Sequence, residues 1–267
     1  MMPILKVEKV TKHFSRARSH FFSLKPNLVT AVKEVSLEIM AGESFGIVGE
    51  SGSGKTTLAN MITGLMEPDA GEIFFEGQKM NPLTAKERRK FATEIQMVFQ
   101  NPYATLDPRK TVGWSIQEPL IIHQKGTPKQ QYQEVVKVLE EVELDESYYH
   151  RYPHELSGGQ RQRIAIASAI ILRPKLIVID EGVSALDVSI QAAILNLLNE
   201  LKRSYHLTYL FISHDLNVVE YFCDRVAVMY KSELVEIIDP AQKEREKLHP
   251  YTQKLFAAIP KMYLEEV

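Results

Sequence analysis

The chain predicts an α/β fold: a mainly parallel sheet flanked by helices, with a helical lobe let into it. Three observations carry this prediction. Short apolar runs of strand length alternate with segments of helical period. A glycine-rich loop, Gly49 to Thr56, joins one such run to one such helix. From Asn101 to Arg173 the pattern turns polar and helical, and Pro102, Pro108, Pro119, Pro128 and Pro153 break it into short pieces. Strands separated by helices return by crossovers, which pairs them in parallel and lays the helices on the sheet's faces.

In chain order, the candidate strands are Leu5–Val10, Ser44–Val48, Ile73–Phe75, Ile95–Phe99, Leu176–Ile179, Thr208–Ile212, Val226–Met229 and Leu234–Ile237. Candidate helices include Lys55–Gly64, Gln131–Val142, Gly158–Leu172, Ser189–Arg203 and Leu216–Phe222. In Ser189–Arg203 the apolar residues Ile190, Ile194, Leu197, Leu198 and Leu201 share one face, which marks an amphipathic helix. The chain therefore reads as a single domain over 1–267. Its core is 1–100 with 174–238, the inserted lobe is 101–173, and a tail covers 239–267. In the tail, the charged run Lys243-Glu244-Arg245-Glu246-Lys247 suits a solvated helix face.

Composition narrows the class. Of 267 residues, 45% are hydrophobic and 25% charged, as expected of a soluble globular protein. Thirty-two basic residues against 34 acidic leave a net charge of -2, which gives no sign of a nucleic-acid partner. One cysteine, Cys223, allows neither an internal disulfide nor a cysteine-built metal site, and a reducing cytoplasmic location is expected. Lys6, Glu8 and Lys9 keep the first residues from reading as a secretory signal. The longest apolar stretch, Ile164 to Leu172, is far short of the roughly twenty residues needed to span a bilayer. Work at a membrane would require another chain to hold this one there.

Gly49-Glu50-Ser51-Gly52-Ser53-Gly54-Lys55-Thr56 fits the phosphate-binding pattern G-x-x-x-x-G-K-[ST] at each fixed position. The apolar run Phe45–Val48 before it and the helix after it supply the required context. Glycines let the backbone curl its N–H groups inward around an anion, and the helix start adds its positive dipole end. Lys55 is placed to reach the β- and γ-phosphates of a nucleoside triphosphate, and Thr56 to ligate Mg²⁺. Further on, Leu176-Ile177-Val178-Ile179-Asp180-Glu181 is a core strand ending in two carboxylates. Asp180 can hold Mg²⁺ directly or through water, and Glu181 can act on the water that attacks the γ-phosphate. Leu156-Ser157-Gly158-Gly159-Gln160 starts a helix with a capping serine and bare amides, a second anion site. One triphosphate does not need two such sites from one chain, so this one is expected to meet the nucleotide of another.

The phosphate loop, "LSGGQ", "LIVIDE", "SALD" and "ISHD", in this order, resemble the ATP-binding subunits of ABC transporters across essentially the whole chain. The resemblance implies a P-loop NTPase fold: an ABC ATPase core with a mainly parallel sheet, an N-terminal antiparallel β subdomain and an inserted helical lobe. It implies that Glu181, His214, Gln100 and Lys55 are catalytic. Gly49 to Thr56 with Thr57 would hold ATP, and Phe14 would stack on adenine. Ser157, Gly158, Gly159 and Gln160 would close on the partner's ATP, and Thr56, Gln100 and Asp180 would serve Mg²⁺. Ser184-Ala185-Leu186-Asp187 would touch the partner ATPase.

Asn101-Pro102-Tyr103-Ala104-Thr105-Leu106-Asp107-Pro108-Arg109 and His249-Pro250-Tyr251-Thr252-Gln253-Lys254-Leu255 resemble the importer group for oligopeptides, dipeptides and nickel. So does the stretch Ser15–Leu28, expected as a surface hairpin. The implied partners are a second ATPase subunit (a heterodimer in the cell, possibly a homodimer in isolation), two membrane permeases and an extracytoplasmic solute-binding protein. Peripheral attachment to the cytoplasmic face of the membrane follows. Two departures stand out: Gly182 where the group has proline, and Ser168 where it has arginine. A soluble ABC-type ATPase acting on nucleic acid or ribosomes, or an exporter ATPase, are the competing readings. No sustained heptads, a single cassette and the two subgroup strings speak against them.

Overall fold

The computed structural model of the protein describes residues 2–16, 27–99, 106–182, 187–242 and 247–257. Two sheets organise them. The first is antiparallel, in the order β2-β1-β4-β5, from β1 (Leu5–Arg16), β2 (Asn27–Ile39), β4 (Ala70–Phe75) and β5 (Gln78–Lys79). The second runs β10-β9-β3-β8-β7-β6, from β3 (Ser44–Val48), β6 (Ile95–Val98), β7 (Leu176–Asp180), β8 (Thr208–Ile212), β9 (Arg225–Tyr230) and β10 (Glu233–Ile238). Every pair in it is parallel except β9–β10 at the edge.

The inner strands of the second sheet, β3, β8 and β7, are buried on both faces, and alternate residues feed two separate cores. In β7, Leu176 and Val178 join one core while Ile177 and Ile179 join the other. In β8, Leu210 and Ile212 divide from Tyr209 and Phe211 in the same way. This is the reason such strands read as unbroken hydrophobic runs. On one face lie the antiparallel sheet, α1 (Lys55–Ile62) and Phe91 of α2 (Ala85–Glu94). The other face carries α3 (Val112–Ile122), α4 (Pro128–Glu141), α5 (Gly158–Ile170), α6 (Val188–Tyr205), α7 (Leu216–Phe222) and α8 (Pro250–Ala257). Gly46 turns toward α7: a Cβ there would stand 2.8 Å from Val219 Cγ1.

Several elements depart from the sequence expectation, among them β5 and α8, which it lacks; three departures have a clear physical reason. β2 has no counterpart among the candidate strands, because a bulge breaks its alternation: buried Val32, Val35, Leu37 and Ile39 are spaced three, two and two residues apart. Glu34, at φ +46°, absorbs the extra residue. α2 leaves no apolar period in the sequence because Phe91 is its one buried side chain; a capping box between Thr84 and Glu87 starts it. α3 continues through Pro119, where the sequence predicts a break. Pro119 lacks the N–H that would bond the Ser115 carbonyl one turn back, and the Ser168 hydroxyl donates to that carbonyl instead, at 3.5 Å. The Ser168 departure thus serves the seam between α3 and α5. For the Ser15–Leu28 stretch, Ser15 pairs with Leu28 and Arg16 with Asn27 across β1 and β2.

Candidate nucleotide site

The carboxyl ends of three neighbouring parallel strands converge, the usual place for a ligand in an open α/β sheet. Ile212 stands opposite Ile47 on one side and Asp180 on the other, so β3, β8 and β7 end in one line. From β3 the chain turns through the glycine-rich loop into α1. Gly49 must be glycine, since a Cβ would sit 2.1 Å from the Met229 carbonyl oxygen. Gly54, at φ +101°, is equally constrained: its Cβ would lie 2.1 Å from the Ala31 carbonyl oxygen of β2.

Lys55 is buried inside this loop, and its Nζ donates to the carbonyls of Gly49 at 2.8 Å and Glu50 at 2.9 Å. Burial holds its pKa below the ordinary lysine range, against the opposing pull of Glu181 and Asp180. A cation desolvated in this way and held by carbonyl dipoles is under-compensated, and an anionic ligand would supply the missing charge. Ser53 Oγ is also buried and has no hydrogen-bond partner among the described residues. Both observations fit a triphosphate.

Thr56 Oγ1 donates to Asp180 Oδ1 at 3.3 Å, which brings the first loop and the end of β7 together. Burial pushes the Asp180 carboxyl above its usual range; the Thr56 hydroxyl and Lys55 pull it down, and Glu181 pushes it further up. A hydroxyl and a buried carboxylate side by side are an oxygen donor set suited to Mg²⁺. Glu181 takes a left-handed conformation, φ +50°, and its N–H donates to the Ile212 carbonyl at 2.9 Å. His214 Nδ1 lies 3.3 Å from Glu181 Oε1. Three separate stretches of sequence therefore meet in one cleft.

Other expected residues are placed as follows. Glu50, Ser51, Gly52 and Thr57 lie in the loop and the first turn of α1. Phe14 is 40% exposed on β1, paired with Val29, two residues from the Ala31 that backs Gly54. Ser157, Gly158, Gly159 and Gln160 begin α5, where Ser157 and Gln160 form a capping box. Gln160 Nε2 also donates to Tyr148 Oη at 2.8 Å. Gln100 and the stretch Val183 to Leu186 lie outside the described residues. A Cβ on Gly182 would meet Ile179 Cγ2 at 3.0 Å and Gln162 Nε2 at 3.1 Å, so glycine there serves close packing. One contact was not anticipated: Tyr251 Oη accepts the Glu50 N–H at 3.2 Å. The His249–Leu255 string had signalled only a subgroup.

A phosphate loop between a parallel strand and a helix, with a carboxylate pair and a histidine at the adjoining strand ends, defines a P-loop nucleoside triphosphatase. A family model described as ABC transporter matches residues 32–184. The chain is 47% identical over 258 residues to the oligopeptide transport ATP-binding protein AppF of Bacillus subtilis, covering 96% of this chain and 78% of that protein. It is likewise 47% identical to the glutathione import ATP-binding protein GsiA of Salmonella typhimurium, over 97% of this chain but 41% of that longer protein. Among solved structures, the ATP-binding cassette MJ0796, a dimer in a post-hydrolysis state with ADP and Pi, superposes with a TM-score of 0.78 at 31% identity. That match covers 89% of this chain and 99% of the other. The chain belongs to the ABC transporter family, as an ATP-binding subunit whose ATP hydrolysis is coupled to transport.

Proposed function

We propose that this chain powers uptake of peptides, as one of two ATPase subunits that drive a pair of membrane permeases supplied by a solute-binding protein. The observation that carries the chemical part is the meeting of Lys55, Thr56, Asp180, Glu181 and His214 at the ends of β3, β7 and β8. The import part is supported by 47% identity to oligopeptide and glutathione import ATPases. Nickel or other metal complexes, the further substrates considered from the sequence, have no support among these relatives.

In this reading the loop from Gly49 to Thr57 wraps the phosphates, and Lys55 exchanges its carbonyl partners for phosphate oxygens. Phe14 stacks on the adenine. Thr56 and Asp180, with Gln100, would hold Mg²⁺, which when bound neutralises charge on the β- and γ-phosphates. Glu181 orients the attacking water and accepts its proton, and His214, touching Glu181, faces the γ-phosphate. Ser157, Gly158, Gly159 and Gln160 close the cleft of a second subunit, of the same or a related chain. ATP stabilises the closed pair through contacts that only that state makes, and loss of the γ-phosphate releases it. Residues 101–173 act as a helical lobe within a single domain, between the core and the permeases. Among the described residues no helix is long and apolar enough to cross a membrane, and attachment through the permeases on the cytoplasmic face is the corresponding proposal.

Glu181→Gln tests this reading. It keeps the side chain's shape while removing the base, so ATP binding should persist and phosphate release should slow by about 10²–10⁴-fold. Uptake of a labelled oligopeptide in cells carrying only that variant should fall to background. Wild-type turnover would move the base elsewhere; lost turnover with intact uptake would detach this chain from peptide import.

A further inference from the structure

The C-terminal string His249-Pro250-Tyr251 reaches the phosphate loop across about two hundred residues of chain, and its local geometry is built for that reach. His249 N–H donates to Glu236 Oε1 of β10 at 2.9 Å, which ties the string to the sheet edge. His249 Nδ1 accepts the Tyr251 N–H at 3.2 Å, so the ring caps the start of α8. Pro250 fills the first helical position, where its fixed φ suits and its missing donor costs nothing. The Tyr251 ring then stacks on Tyr230 at the end of β9, with centroids 4.1 Å apart and planes 27° from parallel. Tyr230 directly follows Met229, whose carbonyl oxygen fixes Gly49 as glycine. Tyr251 is thus held by its backbone N–H and by its ring, buried, with its hydroxyl on the loop.

What the hydroxyl touches is specific. The peptide unit between Gly49 and Glu50 presents its carbonyl to Lys55 Nζ at 2.8 Å and its N–H to Tyr251 Oη at 3.2 Å. One peptide is gripped at both ends, and bonds arranged in this way polarise one another. When Lys55 leaves the Gly49 carbonyl for a phosphate oxygen, the Tyr251 bond is the side-chain tether that stays on that peptide. Burial pushes the Tyr251 phenol up, against the pull of the Glu50 N–H, so it stays neutral and able to accept. We infer that Tyr251 is a positioning residue of the ATP site, which holds the first peptide of the phosphate loop in register while Lys55 changes partners.

This rests on the reading of residues 49–56 as the triphosphate loop, so the experiment carries a control for that reading. Tyr251→Phe keeps the ring, the stack on Tyr230 and the burial, and removes only the acceptor. The KM and Kd for ATP should rise about three- to tenfold, the loss expected of one hydrogen bond, with kcat unchanged. Thermal unfolding of the nucleotide-free chain should remain a single cooperative transition. Unchanged KM and Kd in Tyr251→Phe, beside a Lys55→Ala variant that has lost ATP binding, overturn the inference alone. A Tyr251→Phe variant that loses kcat, KM and cooperative unfolding together overturns it as well, because the tyrosine would then serve general folding. If Lys55→Ala binds ATP normally, the loop reading itself has failed.

Discussion

Two helices of this protein begin on glycine-bearing turns, and they present their first amides in opposite ways. At α1 the cap is Gly54, with φ +101° and no side chain to accept a hydrogen bond. The first-turn N–H groups of Lys55, Thr56 and Thr57, which no helix can satisfy internally, face the loop beside a desolvated lysine. At α5 the cap is Ser157, whose Oγ accepts the Gln160 N–H at 3.3 Å while Gln160 Oε1 accepts the Ser157 N–H at 3.0 Å. At the first corner no side chain caps the amides, although Lys55 must leave two carbonyls to meet an anion; at the second, side chains hold the N–H groups of Ser157 and Gln160. The same dipole direction and similar glycine content thus go with one uncapped corner and one capped by its own side chains. That difference agrees with the proposal that the α5 corner meets a partner's ATP.

The sharpest way to break the comparison is Lys55→Ala. Charge-assisted hydrogen bonds contribute about 1.5–3 kcal/mol each, and Lys55 has two carbonyl contacts to exchange for phosphate. ATP affinity, measured by calorimetry, should fall about a hundredfold or more. A variant that still binds would show that the open amides suffice without the cation.

Next in size is alanine placed at each corner's glycine. In Gly54→Ala the new Cβ would stand 2.1 Å from the backbone oxygen of Ala31, at a positive φ. Neither the strand nor the loop can yield, so unfolding in urea should show a loss of about 2–4 kcal/mol. In Gly159→Ala the obstacle is Ile190 Cγ2 at 2.8 Å, a methyl fixed to the β-carbon of a helical isoleucine, so α6 must shift by a few tenths of an ångström to make room. Overpacking of this kind costs about 1–3 kcal/mol and the helix propensity of alanine returns up to about 1 kcal/mol, so the net loss should be smaller than at Gly54, about 0–2 kcal/mol. Equal losses at the two positions would mean that the corners are built alike.

These corners also show what could be read from the chain and what could not. The loop Gly49–Thr56 and the capped start of α5 were visible, because their chemistry lies in contiguous residues. The bounds of β3, β8 and α7 were visible too, since an apolar run and its flanking punctuation are local. β2 was hidden because the bulge at Glu34 shifts its period midway, and α2 because it buries only Phe91. Pro119 misled, since the substitute donor Ser168 lies far away in sequence. The left-handed turn at Glu181 and the grip of Tyr251 on Glu50 left no trace in any pattern. Both arise from tertiary packing, which a window of sequence does not contain.

The smallest expected effect isolates the second corner. Ser157→Ala removes the acceptor for the Gln160 N–H and should cost about 1 kcal/mol of stability, read from the urea midpoint. Because Ser157 is exposed and its cap belongs to α5 alone, the affinity of a single chain for ATP should not move. Dimerisation in ATP should weaken if, as proposed, the hydroxyl is also the group offered to the partner's phosphate. The two readouts pull apart what one would confuse: lost stability reports the cap, and lost association reports the ligand. A fall in single-chain ATP affinity would instead place both glycine turns around the same nucleotide, and the asymmetry between them would lose its meaning.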